Sequence, residues 1–236
     1  MSAGSDVAAN VWLLYAVATL APLDAIGRDG LLLRSGGGYG QYRYSGHRSG
    51  DPAGSERKFL GTVTYIDALI GYQKKVGPLT AKAFVGIAAI DHAIAPGDPI
   101  ARGGLLAHGR DFGVKCVVEL WLDIGNSAWS SLDMSWTSAH QTYSSRARLG
   151  YRLLPQLSAG LEAGVNGNAL DGSPLLPDGN RREELRPAGR IGLFARYEWA
   201  ATEVSLSAGV TRNAWDVDGD LALREGYATL NLLMRY

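Results

Sequence analysis

Cysteine is almost missing from this chain: Cys116 stands alone in 236 residues. A lone thiol excludes a disulfide framework and a cysteine-ligated metal centre. Net charge is missing too. Lys and Arg total 23, and so do Asp and Glu, so no basic field invites nucleic acid. Long apolar runs are absent. The longest, Val11 to Ala18, falls well short of the roughly 18 residues that a membrane helix requires. This excludes spanning by helices but not by strands, because a barrel strand needs only about 10 residues of alternating character. No basic, apolar leader precedes Val11.

Glycine (31), Tyr (11) and Trp (6) are plentiful, and Phe (4) is scarce. Tyr and Trp favour a membrane–water boundary, where a flat apolar body carries a polar handle. The last stretch, Gly226 to Tyr236, alternates cleanly. Ala228, Leu230, Leu232, Met234 and Tyr236 share one side, and Tyr227, Thr229, Asn231, Leu233 and Arg235 share the other. An apolar face ending in a C-terminal aromatic resembles the closing strand of a bacterial outer-membrane barrel.

The same period of two recurs along the chain. Ile66, Ala68, Ile70 and Tyr72 form one face of their segment. Val114, Cys116, Val118, Leu120 and Leu122 oppose Lys115, Val117, Glu119 and Trp121. Ala128, Ser130, Leu132, Met134 and Trp136 oppose Trp129, Ser131, Asp133 and Ser135. Ile191, Leu193, Ala195, Tyr197 and Trp199 oppose Arg190, Gly192, Phe194, Arg196 and Glu198. A soluble β-sandwich also alternates. Here the charges lie opposite an apolar face, and many stretches run ten residues or more, which favours a barrel with lipid outside and a polar lumen.

Eleven such strands are visible from Val11 onward, and their connections alternate in length. Those near 45–58, 91–110, 166–187 and 213–222 are long; those near 73–78, 123–128, 152–156 and 198–202 are short. Barrels of this class have long external loops and short periplasmic turns, an even strand number and both termini inside. Counting back from Tyr236 therefore requires one more strand before Val11. The expectation is a single all-β domain over 1–236, an antiparallel transmembrane β-barrel of 12 strands. Met1 to Val7 is expected to supply only the upper end of a short or truncated first strand.

The inward face then carries both signs of charge. The lumen-lining candidates are Arg34, Tyr42, Asp67, Lys115, Glu119, Trp121, Asp133, Arg146, Arg148, Glu162, Arg190, Arg196 and Arg235, with Lys82, Arg152, Glu198 and Glu203 beside them. Charges in a narrow interior must be paired or hydrated. Two arrangements satisfy this: a structural ion-pair network that partly fills the lumen, and a narrow polar channel or ligand site.

Catalytic signals are weak. His47, His92, His108 and His140 all fall in or beside external loops. Ser138 and His140 are neighbours in one short loop, without a GxSxG turn or a spaced acid partner. Asp216, Asp218 and Asp220 lack the Gly and the distant Glu of a calcium loop, so a polar turn is expected there. Tyr39, Tyr42 and Tyr44 form a cluster suited to stacking on sugar rings or to a membrane girdle. No cofactor, metal or catalytic residue is expected.

Several short elements then occur in a telling order. They are Gly27-Arg28-Asp29-Gly30, Leu33-Arg34, Gly37-Gly38-Tyr39-Gly40 and Tyr42-Arg43-Tyr44, followed by Asp67 to Gln73 (DALIGYQ). After them come Asp91-His92 with Pro96, Asp98 and Pro99, then Glu119-Leu120-Trp121, Arg146 to Arg152 (RARLGYR) and Tyr227-Ala228. In this order they resemble the cellulose biosynthesis protein BcsS family across nearly the whole chain. The resemblance implies an outer-membrane, non-enzymatic component of bacterial cellulose synthesis or secretion. The partners it implies are membrane lipid and cellulose or other cellulose-synthesis components, with no nucleic acid. A surface lipid hydrolase with rim Ser and His and a small passive porin are the alternatives.

Overall fold

A computed structural model describes residues 1–23, 28–46, 57–95, 108–168, 188–211 and 225–235. Twelve strands close into one antiparallel barrel. In chain order they are β1 (Ser2–Ala8), β2 (Val11–Leu20), β3 (Gly30–Gly46), β4 (Arg57–Val76), β5 (Leu79–Ala95) and β6 (Gly109–Ile124). β7 (Ala128–Thr137), β8 (Thr142–Arg152), β9 (Leu157–Asn168), β10 (Ala188–Trp199), β11 (Thr202–Thr211) and β12 (Glu225–Met234) complete the ring. Each strand pairs with its sequence neighbours, and β1 pairs with β12. Closure removes every sheet edge, so no row of backbone N–H and C=O groups faces lipid unpaired.

The first strand is short but sits lower than the sequence suggests. Ser2 pairs with Leu233 and Ala8 with Tyr227, while the other edge runs from Ser2–Val17 to Ala8–Val11. β1 therefore starts level with the end of β12 instead of adding only an upper tip. The N-terminal ammonium donates to the Met234 carbonyl at 2.7 Å, which puts both termini at one end of the barrel, here called the lower end.

Alternation fixes which side chains face out. Ile66, Ile87, Leu149, Leu161, Leu193, Leu206 and Leu230 are all exposed on the outer surface. Such a continuous apolar belt is unfavourable in water, at about 25 cal/mol per Å², and is satisfied by a bilayer. Aromatic girdles bound it. Near the upper end Trp12 meets Tyr39 edge-on at 5.6 Å, with Phe112 and Trp136 exposed further round the ring. Near the lower end Tyr197 packs against Trp199 at 5.6 Å, with Tyr72 and Tyr151 alongside. Charge returns beyond both girdles. Outward Asp91 and Arg110 pair at 3.4 Å above the belt, and Lys74 pairs with Asp29 at 2.6 Å below it. The hydrogen bond from Lys74 holds the exposed Asp29 carboxyl below the usual carboxylate range.

The wall is not of even height. β3, β4, β5 and β6 have 17, 20, 17 and 16 residues, against 10 for each of β7, β11 and β12. The expected loops near 45–58 and 91–110 are thus partly strand, since β3 reaches Gly46, β4 starts at Arg57, β5 reaches Ala95 and β6 starts at Gly109. Above the belt both faces of a strand meet polar surroundings. Alternation then fades from the sequence although the hydrogen-bond ladder continues. His47, Pro96, Asp98, Pro99, Asp216, Asp218 and Asp220 lie outside the described residues.

Candidate functional site

The inward faces enclose a cavity of about 1010 Å³. Its walls run from Lys75, Pro155 and Arg235 at the lower mouth, past Arg34, Glu119 and Asp133, to Asp6, Tyr65, Ser144 and Asn166. Among the described residues the lining carries ten Lys and Arg against seven Asp and Glu, so its surface leans cationic although the chain is neutral.

Most of these charges are paired across strands. Glu119 of β6 receives Arg34 from β3 and, at 3.2 Å, Lys82 from β5. Asp67 of β4 receives Lys115 from β6. Arg190 of β10 reaches Asp6 of β1 at 2.7 Å. Near the lower mouth Arg196 donates to Glu203 at 2.7 Å, and Arg152 to Asp123 at 2.5 Å. Five cations also lie over aromatic rings: Arg34 on Phe84, Lys115 on Tyr65, Arg148 on Phe194, Arg190 on Tyr227, and Arg196 on both Trp121 and Trp129. The two tryptophans stack at 4.2 Å and 18°. A cation on a ring face is attracted by the ring quadrupole.

Two regions of this interior differ in wetness. Glu162 of β9 is fully buried. Its carboxylate accepts from Arg148 at 2.6 Å, Ser207 at 3.1 Å and Tyr227 at 3.3 Å, with Arg190 3.7 Å away. On the neighbouring strands β7 and β8, Asp133 and Arg146 approach no closer than 4.0 Å, and the Asp133 side chain is 42% exposed.

The sequence-derived lumen candidates fall on this cavity wall with two exceptions. Glu162 lies behind the surface in its own hydrogen-bond shell. Tyr42 is buried above the cavity, its hydroxyl 3.2 Å from Nδ1 of His92. The tyrosine cluster does not form one platform, because Tyr39 faces out onto Trp12 while Tyr42 faces in. An odd separation along a strand puts two side chains on opposite faces. Ser138 and His140 do not combine either. The Ser138 hydroxyl accepts from the Val114 N–H at 3.0 Å, and His140 Nε2 lies 3.2 Å from the Gly109 carbonyl. Asp6, Tyr15, Tyr65 and Trp129 line the cavity without having been singled out. Trp129 already fell on the polar face by alternation; Asp6 had no such signal, because its strand was too short to show a period. Among the described residues no cluster of three or more His, Cys, Asp or Glu is placed to hold a metal ion.

The model of the cellulose biosynthesis protein BcsS family matches residues 2–236. The chain belongs to that family. The chain also resembles solved structures. With the transport unit of the autotransporter AIDA-I from Escherichia coli it shares 11% identity at a TM-score of 0.58, over 100% of this chain and 88% of that one. With LpxR from Salmonella typhimurium it shares 11% identity at 0.53, over 100% of both. With the translocator domain of the autotransporter NalP from Neisseria meningitidis it shares 10% identity at 0.51, over 100% and 87%. At such identities these likenesses show the barrel fold and nothing about activity. No curated protein matches the sequence.

Proposed function

We propose that this chain is a non-enzymatic outer-membrane component of cellulose synthesis that assists export of the polymer or anchors it at the cell surface. Family membership over residues 2–236 carries the reading. The apolar belt between two aromatic girdles supports a seat in the outer membrane, and the polar cavity supports a role toward a hydroxyl-rich chain. The barrel, refolded in micelles, is expected to bind cello-oligosaccharides by calorimetry. No heat of binding at millimolar sugar would defeat the reading. Membrane fractionation that leaves the protein out of the outer membrane would defeat the location.

A small passive porin is the second reading, favoured by the extension of the cavity to the lower mouth at Lys75 and Arg235. Conductance in planar bilayers that glucan does not block would favour it. The rim hydrolase loses its geometric support, since Ser138 and His140 hold different partners.

A further inference from the structure

The upper mouth of the lumen is built differently from the cavity below. On β7 and β8 the cavity wall stops at Ser135 and Ser144. Above them the connection 138–141 does not project away from the barrel. Ala139 is completely buried. A Cβ on Gly113, which faces inward from β6, would collide with the Ala139 nitrogen and the Ser138 hydroxyl, so the turn rests on the lumen side of β6. It is tied there by Ser138 N–H to the Val114 carbonyl at 2.9 Å and by His140 N–H to the Asp111 carboxylate at 2.8 Å. His140 and Gln141 take left-handed backbone angles, φ 48° and 47°, which L residues rarely adopt without such ties.

Two imidazoles hold the turn to the tall wall. The rings of His140 and His92 of β5 meet edge-on at 5.1 Å and 87°. His92 in turn faces the Tyr42 hydroxyl of β3. A carbonyl only accepts, so His140 donates from Nε2 to Gly109. We propose that the 138–141 turn is an acid-released latch at the upper rim of the lumen, held against β5 and β6 while His92 is neutral.

The surrounding charges fit this assignment. On β5 Asp91 faces outward and is paired with Arg110 of β6. Asp111 of β6 spends its oxygens on the N–H groups of Phe112 and His140. His108 lies exposed just before the start of β6. Tyr42 is the polar group facing His92 from β3. Among the described residues no carboxylate is hydrogen-bonded to either ring. This cluster stands at the level of Asp91 and Arg110, beyond the apolar belt. Burial, reinforced by repulsion from His140, pushes the His92 pKa down to about 4. A released His92 titrates near about 6.5, so the released turn binds the proton more readily. The latch is therefore at full strength above about pH 6.5 and weakens as pH falls toward about 4.

Amide hydrogen exchange of the whole chain folded in micelles tests this. After correction for intrinsic pH dependence, protection of the Ser138 and His140 amides is expected to fall at least about tenfold between about pH 7.5 and about pH 5. Protection of Val117 and Val118 stays constant. In His92→Phe the fall at 138 and 140 disappears. His92→Gln serves the same purpose if the first variant does not show the heat-modifiable migration of a folded barrel. No fall in the wild type, or an equal fall in the folded variants, overturns the latch.

Discussion

The lumen of this barrel holds two carboxylates that look alike in sequence and differ in structure. Glu162 and Asp133 both alternate with apolar residues, and both face arginines. Glu162 is dry, with three hydrogen-bond donors around it and a second arginine near. Asp133 is wet, with Arg146 at 4.0 Å. A charge with no water must have its partners built in, because desolvation outweighs any single contact. A charge on the cavity surface keeps its hydration. A dry ion-pair cluster around Glu162, on β8, β9 and β10, thus stands beside a half-exposed pair, Asp133 and Arg146, on β7 and β8.

The sharpest way to break the contrast is to remove the buried carboxylate. Glu162→Ala leaves Arg148 and Arg190 without it, and is expected to cost about 3–5 kcal/mol of stability, read as a lower urea midpoint for unfolding from micelles. An unchanged midpoint would mean that water enters the site. One residue away, Leu161 faces lipid. Leu161→Lys is expected to cost about 2–4 kcal/mol in bilayers, because a charge on the outer face meets hydrocarbon. No loss of stability there would invert the assignment of faces. The wet side should respond least. Arg146→Gln removes a loosely held charge and is expected to change stability by under about 1 kcal/mol. Its effect belongs in transport: any conductance in planar bilayers should lose anion preference, measured as the reversal potential across a salt gradient. A large stability loss with unchanged selectivity would place Arg146 in the structural network instead.

Much of the fold was legible beforehand, and for a local reason. In a strand each side chain points opposite to its neighbour. The faces of β4, β6, β7, β10 and β12 could therefore be assigned from residues such as Ile66, Lys115, Trp129, Arg196 and Thr229. Alternating long and short connections gave the parity that demanded a strand before Val11, and β1 fills that place at Ser2–Ala8. The tall extensions of β3 to β6 were hidden, because the pattern weakens where no lipid selects one face.

Local order along the chain is enough to set the strands, their facing and the even count, since these follow from backbone periodicity and turn chemistry. Partnership needed the closed ring. Arg190 and Asp6 are 184 residues apart and meet only because β1 pairs with β12 and brings the first strand beside the last. Arg34 and Glu119 meet because side chains from β3 and β6 converge within the barrel interior. The inward seat of the 138–141 turn likewise depends on Gly113 leaving room on β6 and on His92 standing opposite. None of these contacts is local, so no window along the chain could have shown them.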